Sequence, residues 1–144
     1  MRLDQAVEQI LDAVVEAVSS DPALAEVRSV VRGDRARPMP ALPAVWVVPE
    51  PATQDADTYG SAEAWTMPVG LAALVRSEDP EQGGRDAGRL AALARSAVLA
   101  TPGLGLAHVV DVRSTRIDLA ARSERNRSLF WADATVTVTF VVDE

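Results

Sequence analysis

From Leu129 to Val142 the chain reads LFWADATVTVTFVV and alternates with almost no break. Phe130, Ala132, Ala134, Val136, Val138, Phe140 and Val142 share one parity. Trp131, Asp133, Thr135, Thr137 and Thr139 share the other. A period of two over this length predicts a half-buried antiparallel strand, apolar toward a core and polar outward. Its β-branched residues fit a pleat and resist a helix. The N-terminal stretch has a different period. Leu3, Val7, Ile10, Leu11, Val14, Val15 and Val18 recur at three- and four-residue steps, which predicts an amphipathic helix over Leu3–Val18. Ser19-Ser20-Asp21-Pro22 ends it, because a residue before proline avoids the α region.

The middle of the chain mixes the two periods. A short strand is expected around Val27–Val31, followed by a stiff loop from Arg35 to Pro43 that carries Pro38, Pro40 and Pro43. Ala44–Val48 (AVWVV) predicts a short buried strand, closed by Pro49-Glu50-Pro51. The next piece, ATQDADTYGSAE, is polar and is expected to hold no strand. Loops this long in compact domains are usually functional or disordered. Ala64–Val75 returns as a strand with Trp65, Met67, Val69, Leu71, Ala73 and Val75 on one face, so the two strands form a long hairpin. Pro68 removes a ladder donor and predicts an edge or a bulge.

Ser77–Ala100 is expected to be a second helix, with Asp79 as N-cap, Pro80 in first position and Gln82 closing a box-like start. Leu90, Leu93, Ala97 and Val98 form its apolar stripe. Gly84, Gly88, Ala91, Ala92 and Ala94 keep it thin. Each helical glycine costs up to about 1 kcal/mol relative to alanine. Close backbone approach to a neighbour would offset that cost. Ala107–Ala121 predicts a strand with a bulge, since Val110 and Val112 have one parity and Ile117 and Leu119 the other. Ser123–Arg127 turns into the final strand. The order α-β-β-β-α-β-β predicts an α+β fold: a small antiparallel sheet of four to five strands with two helices packed on it.

A length of 144 residues fits one domain, residues 1–144. Such a chain buries roughly 70% of its unfolded surface and needs no metal or disulfide staple. The absence of cysteine excludes disulfides, thiolate metal sites and a cysteine nucleophile. All 14 basic residues are Arg, and with abundant Ala, Val, Gly and Pro this reads as a bias toward GC-rich codons. The formal net charge is −7, and residues 1–63 hold 11 acids against 5 Arg while residues 64–144 hold 10 against 9. An acidic chain is a poor general nucleic-acid binder, because phosphate binding needs surplus positive charge. MRLDQAVEQ has no basic leader ahead of an apolar run, so no signal peptide is expected. No apolar run approaches the ~20 residues of a membrane-spanning helix.

Catalytic chemistry finds little support. His108 is the only histidine, and one imidazole with scattered carboxylates makes neither a metal site nor a triad. Glu78 and Asp79 are better explained as helix-start residues drawn to the positive dipole end. Asp55 and Asp57 lie in the long polar loop, a poor place to hold two acids at catalytic precision. Gly83-Gly84 opens a helix, yet there is no lysine for a P-loop and no G-x-G-x-x-G after a strand. No cofactor is expected.

Two charge patterns point instead to surfaces. Asp4, Glu8, Asp12 and Glu16 follow one another at four-residue steps on one helix face. Such like-charge neighbours each cost about 0.2–0.5 kcal/mol in an isolated helix. The row is either a solvated face or an electronegative surface turned toward a partner or a pore. Arg113, Arg116, Arg122, Arg125 and Arg127 fall within 15 residues of the last hairpin. They form either a solvated hairpin or an inter-subunit contact, since guanidinium forks pair carboxylates bidentately. The two stripes would then meet head to tail, which closes into a ring if the rotation permits. Tyr59 and Trp65, at the polar loop and its strand base, are candidate docking anchors, with a core role as the alternative for Trp65.

The whole pattern resembles the tail terminator and tail-completion proteins of long-tailed bacteriophages and of prophage-derived particles. The likeness is carried by LDQAVEQILDAVVEAV, then VRGDRARPMPALPAVWVVPEP, then a polar loop into AWTMPVGLAALV. It continues through the helix DPEQGGRDAGRLAALARSAV to the closing LFWADATVTVTFVVDE. The resemblance implies a non-enzymatic structural protein that assembles as a hexameric ring at the head-proximal end of the tail tube. It implies as partners further copies of the chain, the tail tube protein and the head–tail connector or head-completion protein. DNA would pass through the lumen without specific binding, and the acidic row or the loop Asp55–Asp57 would line it. The implied location is the neck of the virion tail, after assembly in the host cytoplasm, with no membrane partner. Two other readings stay open: another neck or tail-completion protein of the same fold, and a monomeric α+β domain whose Trp46, Trp65 and Trp131 line a small-ligand pocket.

Overall fold

The alternation of the last strand sets the architecture. The computed structural model describes residues 1–33, 39–55, 62–123 and 128–143, with residues 120–122 by backbone alone. Strand β6 (Leu129–Val142) lies between β4 (Glu63–Arg76) and β5 (Val109–Ser123) and is antiparallel to both. Its pairing with β4 is continuous from Glu63↔Val142 to Arg76↔Leu129. The parity that holds Phe130, Ala132, Val136, Val138, Phe140 and Val142 faces the main core, as the sequence pattern predicts. On β4 the same face carries Met67, Val69, Leu71, Ala73 and Val75.

Two helices cover this face. Helix α1 (Leu3–Ser20) buries Ala6, Ile10, Leu11, Val14 and Val18, while Leu3, Val7 and Val15 pack at its margin. Helix α2 (Pro80–Ala100) starts three residues later than the sequence suggests, at its expected cap. The Asp79 carboxylate accepts from the backbone N–H of Glu81 at 3.1 Å and of Gln82 at 3.4 Å. Gln82 does not close the box. Its side-chain amide donates instead to Asp86 at 2.9 Å, one turn on. The small residues of α2 do permit close approach. A Cβ on Gly88 would stand 3.1 Å from the Leu119 carbonyl oxygen, and one on Gly83 would strike the Phe130 ring at 2.4 Å.

The sheet is larger than expected and mixed. Its order is β1 (Ser29–Arg32), β2 (Ala44–Pro49), β4, β6, β5, with β3 (Thr53–Gln54) also on β4. The α+β class and the order of helices and strands agree with the sequence reading. Two details do not. β1 runs parallel to β2, from Ser29↔Ala44 to Arg32↔Val47, where the sequence predicts an antiparallel sheet, and part of the predicted Arg35–Pro43 loop lies outside the described residues. β3 arises in the stretch expected to be strand-free. Pro49 pairs with Val69 and Thr53 with Thr66, so β2 and β3 form one interrupted partner of β4, with an extra residue between them. Pro68 sits opposite this interruption. Its carbonyl accepts from Glu50 N at 2.9 Å, and the donor it lacks faces the bulge, where none is needed. β5 carries the expected irregularity as register shifts at Val109/Asp111, Ser114/Arg116 and Asp118/Arg122.

Candidate interaction surfaces

The acidic row of α1 is solvent-facing but not free. The Arg2 guanidinium forks onto Asp4, with Nε–Oδ1 and Nη2–Oδ2 both 3.1 Å. That hydrogen bonding holds the Asp4 carboxyl below its ordinary range. Arg32, on the edge strand β1, reaches the next two acids. Its Nη1 donates to Glu8 Oε2 and Asp12 Oδ1, and its Nη2 to Glu8 Oε1, each at 2.9 Å. Hydrogen bonding to Arg32, reinforced by its charge, lowers the Glu8 carboxyl, and the Arg32 guanidinium is pushed up in turn. Glu16 is exposed and has no ion-pair partner among the described residues. Three of the four carboxylates therefore share two guanidinium groups, which offsets the repulsion along the row.

Of the arginines of the last hairpin, Arg113 and Arg116 lie on β5, at the end of the sheet opposite β1. Arg113 Nε donates to Asp111 Oδ2 at 2.7 Å, an exposed local pair. Arg116 pairs in register with Thr135 and is exposed, with no ion pair among the described residues. It borders a shallow depression on the sheet face away from the helices, together with Glu50, Gly70, Asp133 and Thr135. Arg122 stands opposite Trp131 on the backbone ladder. Arg125 and Arg127 lie outside the described residues, as do Asp57 and Tyr59.

Asp55 is anchored rather than loose. Its N–H donates to the Ala64 carbonyl at 2.8 Å, and its carboxylate accepts from Thr66 Oγ1 at 3.2 Å. Trp65 is half-buried on the helix-facing side of β4 and packs against the main core, with its Nε1–H donating to Glu63 Oε2 at 3.1 Å. The three tryptophans do not share a pocket. Trp46 and Trp131 belong to a second apolar cluster on the opposite sheet face, with Ala72, Leu74 and Leu129, while Trp65 belongs to the first. Successive residues of a strand point to opposite faces, and Trp65 pairs with core-facing Phe140 while Trp131 pairs with Leu74 on the other face, so no ligand could touch all three. The Trp46 Nε1–H is buried and has no acceptor among the described residues.

His108 is half-buried, its Nε2–H aimed at the Ala6 carbonyl oxygen at 3.4 Å and its ring edge-on to Phe140 at 6.4 Å between centroids. These contacts tie the turn before β5 to α1 and bring no second titratable group to the imidazole. Among the described residues no three His, Cys, Asp or Glu gather where they could hold a metal ion. No helix there is long and apolar enough to cross a membrane.

Neither family models nor curated proteins match this chain. The fold does have a counterpart among solved structures. A chain in the virion of a native gene transfer agent particle superposes with a TM-score of 0.61 at 15% identity, over 92% of this chain and 94% of that one. At that identity the likeness is one of fold. The near-complete mutual coverage means that helices, sheet and order are shared as a whole, with little added to either chain.

Two features escaped the sequence pattern. One is the second apolar cluster, since Leu74 and Leu129 fall on the parity that alternation assigns to solvent. The other is the exposure along β5, where Val110, Ile117 and Leu119 are 66%, 44% and 46% accessible. They are three of the five large apolar side chains exposed among the described residues. The parity switch between Val112 and Ile117 was the available signal, because a register shift near an edge lifts side chains out of the packed layer.

Proposed function

We propose that this chain is a structural virion protein of phage-like particles, and that its specific role is that of a tail terminator. In this reading, copies form a ring, most simply a hexamer, at the head-proximal end of the tail tube. The ring ends tube polymerisation and offers the head connector a docking face, while DNA passes through its lumen. The observation that carries the reading is the fold shared over nearly the full length of both chains with a protein of a gene transfer agent virion. The separation of the three tryptophans onto two faces argues against a ligand pocket. Among the described residues, His108, Glu8 and Asp55 are held in structural contacts, and these contacts assemble no constellation for a reaction. The chain acts by assembly, not by catalysis.

The lumen of such a ring needs acidic walls that repel phosphates. Both the α1 row and Asp55 at the β3–β4 hairpin have the required charge. A neck protein of the same fold that docks elsewhere would share every feature above except its position in the particle. Deleting the coding sequence from the producing strain and imaging the particles tests the role. The expected result is tails of unregulated length unjoined to heads, with labelled protein at the collar of the parental particle. Tails of normal length joined to heads in the deletion strain would overturn it.

A further inference from the structure

We propose that the free edge of β5 is the surface by which one copy of this chain seats on the next, landing on the α1–β1 edge of its neighbour. This deepens the ring reading above and rests on it. The sheet ends in two strands, β1 and β5, that have no strand on their outer sides among the described residues. A long edge strand is an invitation to pair, and soluble proteins blunt it with charge, bulges or a cover. β5 has bulges and charges, yet it also exposes Val110, Ile117 and Leu119. Ile117 stands opposite Ala134, on the helix-facing side, beside the small-residue flank of α2 where Gly88 meets Leu119. An apolar margin of this kind loses contact with water only if something covers it.

The charge on the two edges selects the cover. At the β5 edge Arg116 is unpaired among the described residues, and Arg113 has only its neighbour Asp111. At the opposite edge, Glu8 and Asp12 share the single guanidinium of Arg32, and Glu16 has no partner among the described residues. Among the described residues, one end of the sheet thus offers the unpaired Arg116 and the other has carboxylates in excess. The two ends differ in strand length and in the charge each leaves unpaired. An isologous β5–β5 contact with its twofold axis at Arg116 would set that residue against its own counterpart. A head-to-tail contact meets no such repulsion, and repeated around an axis it closes a ring. The assignment commits the α1 row to the contact between copies and leaves Asp55 at the β3–β4 hairpin for the lumen.

Native mass spectrometry of the purified full chain tests it. The wild type is expected as a multiple of 15.3 kDa. Arg113→Glu with Arg116→Glu in one variant, and Asp12→Arg with Glu16→Arg in another, should each weaken association by about tenfold or more, since like charges then face each other. Mixing the two should restore assembly, with both variants in equal numbers. Val110→Glu with Ile117→Glu tests the apolar half of the same edge and should give a monomer, with circular dichroism checking its fold. A wild type that stays at 15.3 kDa, a charge variant that assembles unchanged, or a mixture that fails to recover overturns the assignment. A collar ring closed through another surface would remove this contact and keep the virion role. Edge-dependent assembly by a protein absent from particles would do the reverse.

Discussion

Replacing Gly83 with alanine sets two effects of opposite sign against each other. Alanine is favoured over glycine inside a helix by about 1 kcal/mol. Against that, the new methyl would lie 2.4, 2.7 and 2.9 Å from Cδ2, Cε2 and Cγ of Phe130. The clash reaches the root of the ring, so a small rotation does not relieve it. Phe130 is 8% exposed and is held in the sheet between Val75 on β4 and Ser123 on β5. Either the ring leaves its rotamer or the start of α2 lifts off the sheet. Overpacking of this kind costs about 1–3 kcal/mol. The balance is a net loss of about 0–2 kcal/mol, or a few degrees in melting temperature for a chain of this size. Urea unfolding at fixed protein concentration reads it. The decisive comparison is the same substitution beside Phe130→Ala. With the ring gone, Gly83→Ala should stabilise by about 0.5–1 kcal/mol, giving a coupling of about 1–3 kcal/mol between the sites. An equal effect of Gly83→Ala in both backgrounds would refute the claim that glycine sets the gap between α2 and β6.

Other outcomes follow from single contacts. Phe140 is fully buried near the C-terminal end of β6, so Phe140→Ala should cost about 3–5 kcal/mol by chemical denaturation. Asp79→Ala removes the carboxylate that caps two N–H groups of α2 and should cost about 1 kcal/mol, with Asp79→Asn or Asp79→Ser recovering most of it. The lowered carboxyls of Glu8 and Asp4 give stability that is present above the ordinary carboxylate pKa and is lost as pH falls through the lowered folded values. Arg32→Gln should remove the Glu8 part of that acid dependence, visible as a flatter melting profile between neutral and acid pH, and added salt should flatten the wild-type profile in the same direction.

The long elements were legible because each repeats one period many times. Eleven residues of alternation in β6, Phe130 to Phe140, and four turns of apolar spacing in α1 leave a single answer for the face that turns inward. β1 offers four residues, and four residues carry no period that separates a parallel partner from an antiparallel one. β3 offers two. Its existence depends on Thr66 and Trp65 being already in place on β4, which is a fact about the sheet and not about the ATQDADTYGSAE stretch. The same limit applies to the outward face of β4 and β6. Alternation marks Leu74, Leu129 and Trp131 as outward, and outward was read as solvent. In the folded chain Trp46 and Leu42 lie over that end of the face and make it a second core.

The charged surfaces show how far local reading extends. The acidic row and the arginine run are each visible in sequence, and each alone is ambiguous. Arg32 resolves part of the first, but it is 20 residues from Asp12 and 24 from Glu8, and only the position of β1 beside α1 brings them together. Topology also sets the two stripes at opposite ends of one sheet, which no spacing in the chain could reveal. In the proposed head-to-tail contact, charge would draw opposite ends together, but it does not fix how many copies close. Successive strands of a sheet are rotated by roughly 20–25°. The angle between the β1 and β5 edges is therefore set by the twist accumulated across the strands between them, and a contact formed edge to edge carries that angle into the assembly. Variants that alter charge should change whether copies associate and leave the number in each closed ring intact. Variants that alter twist, such as closing the Ser114/Arg116 register shift by deleting Thr115, should change the number of copies, and a native mass spectrum separates the two outcomes.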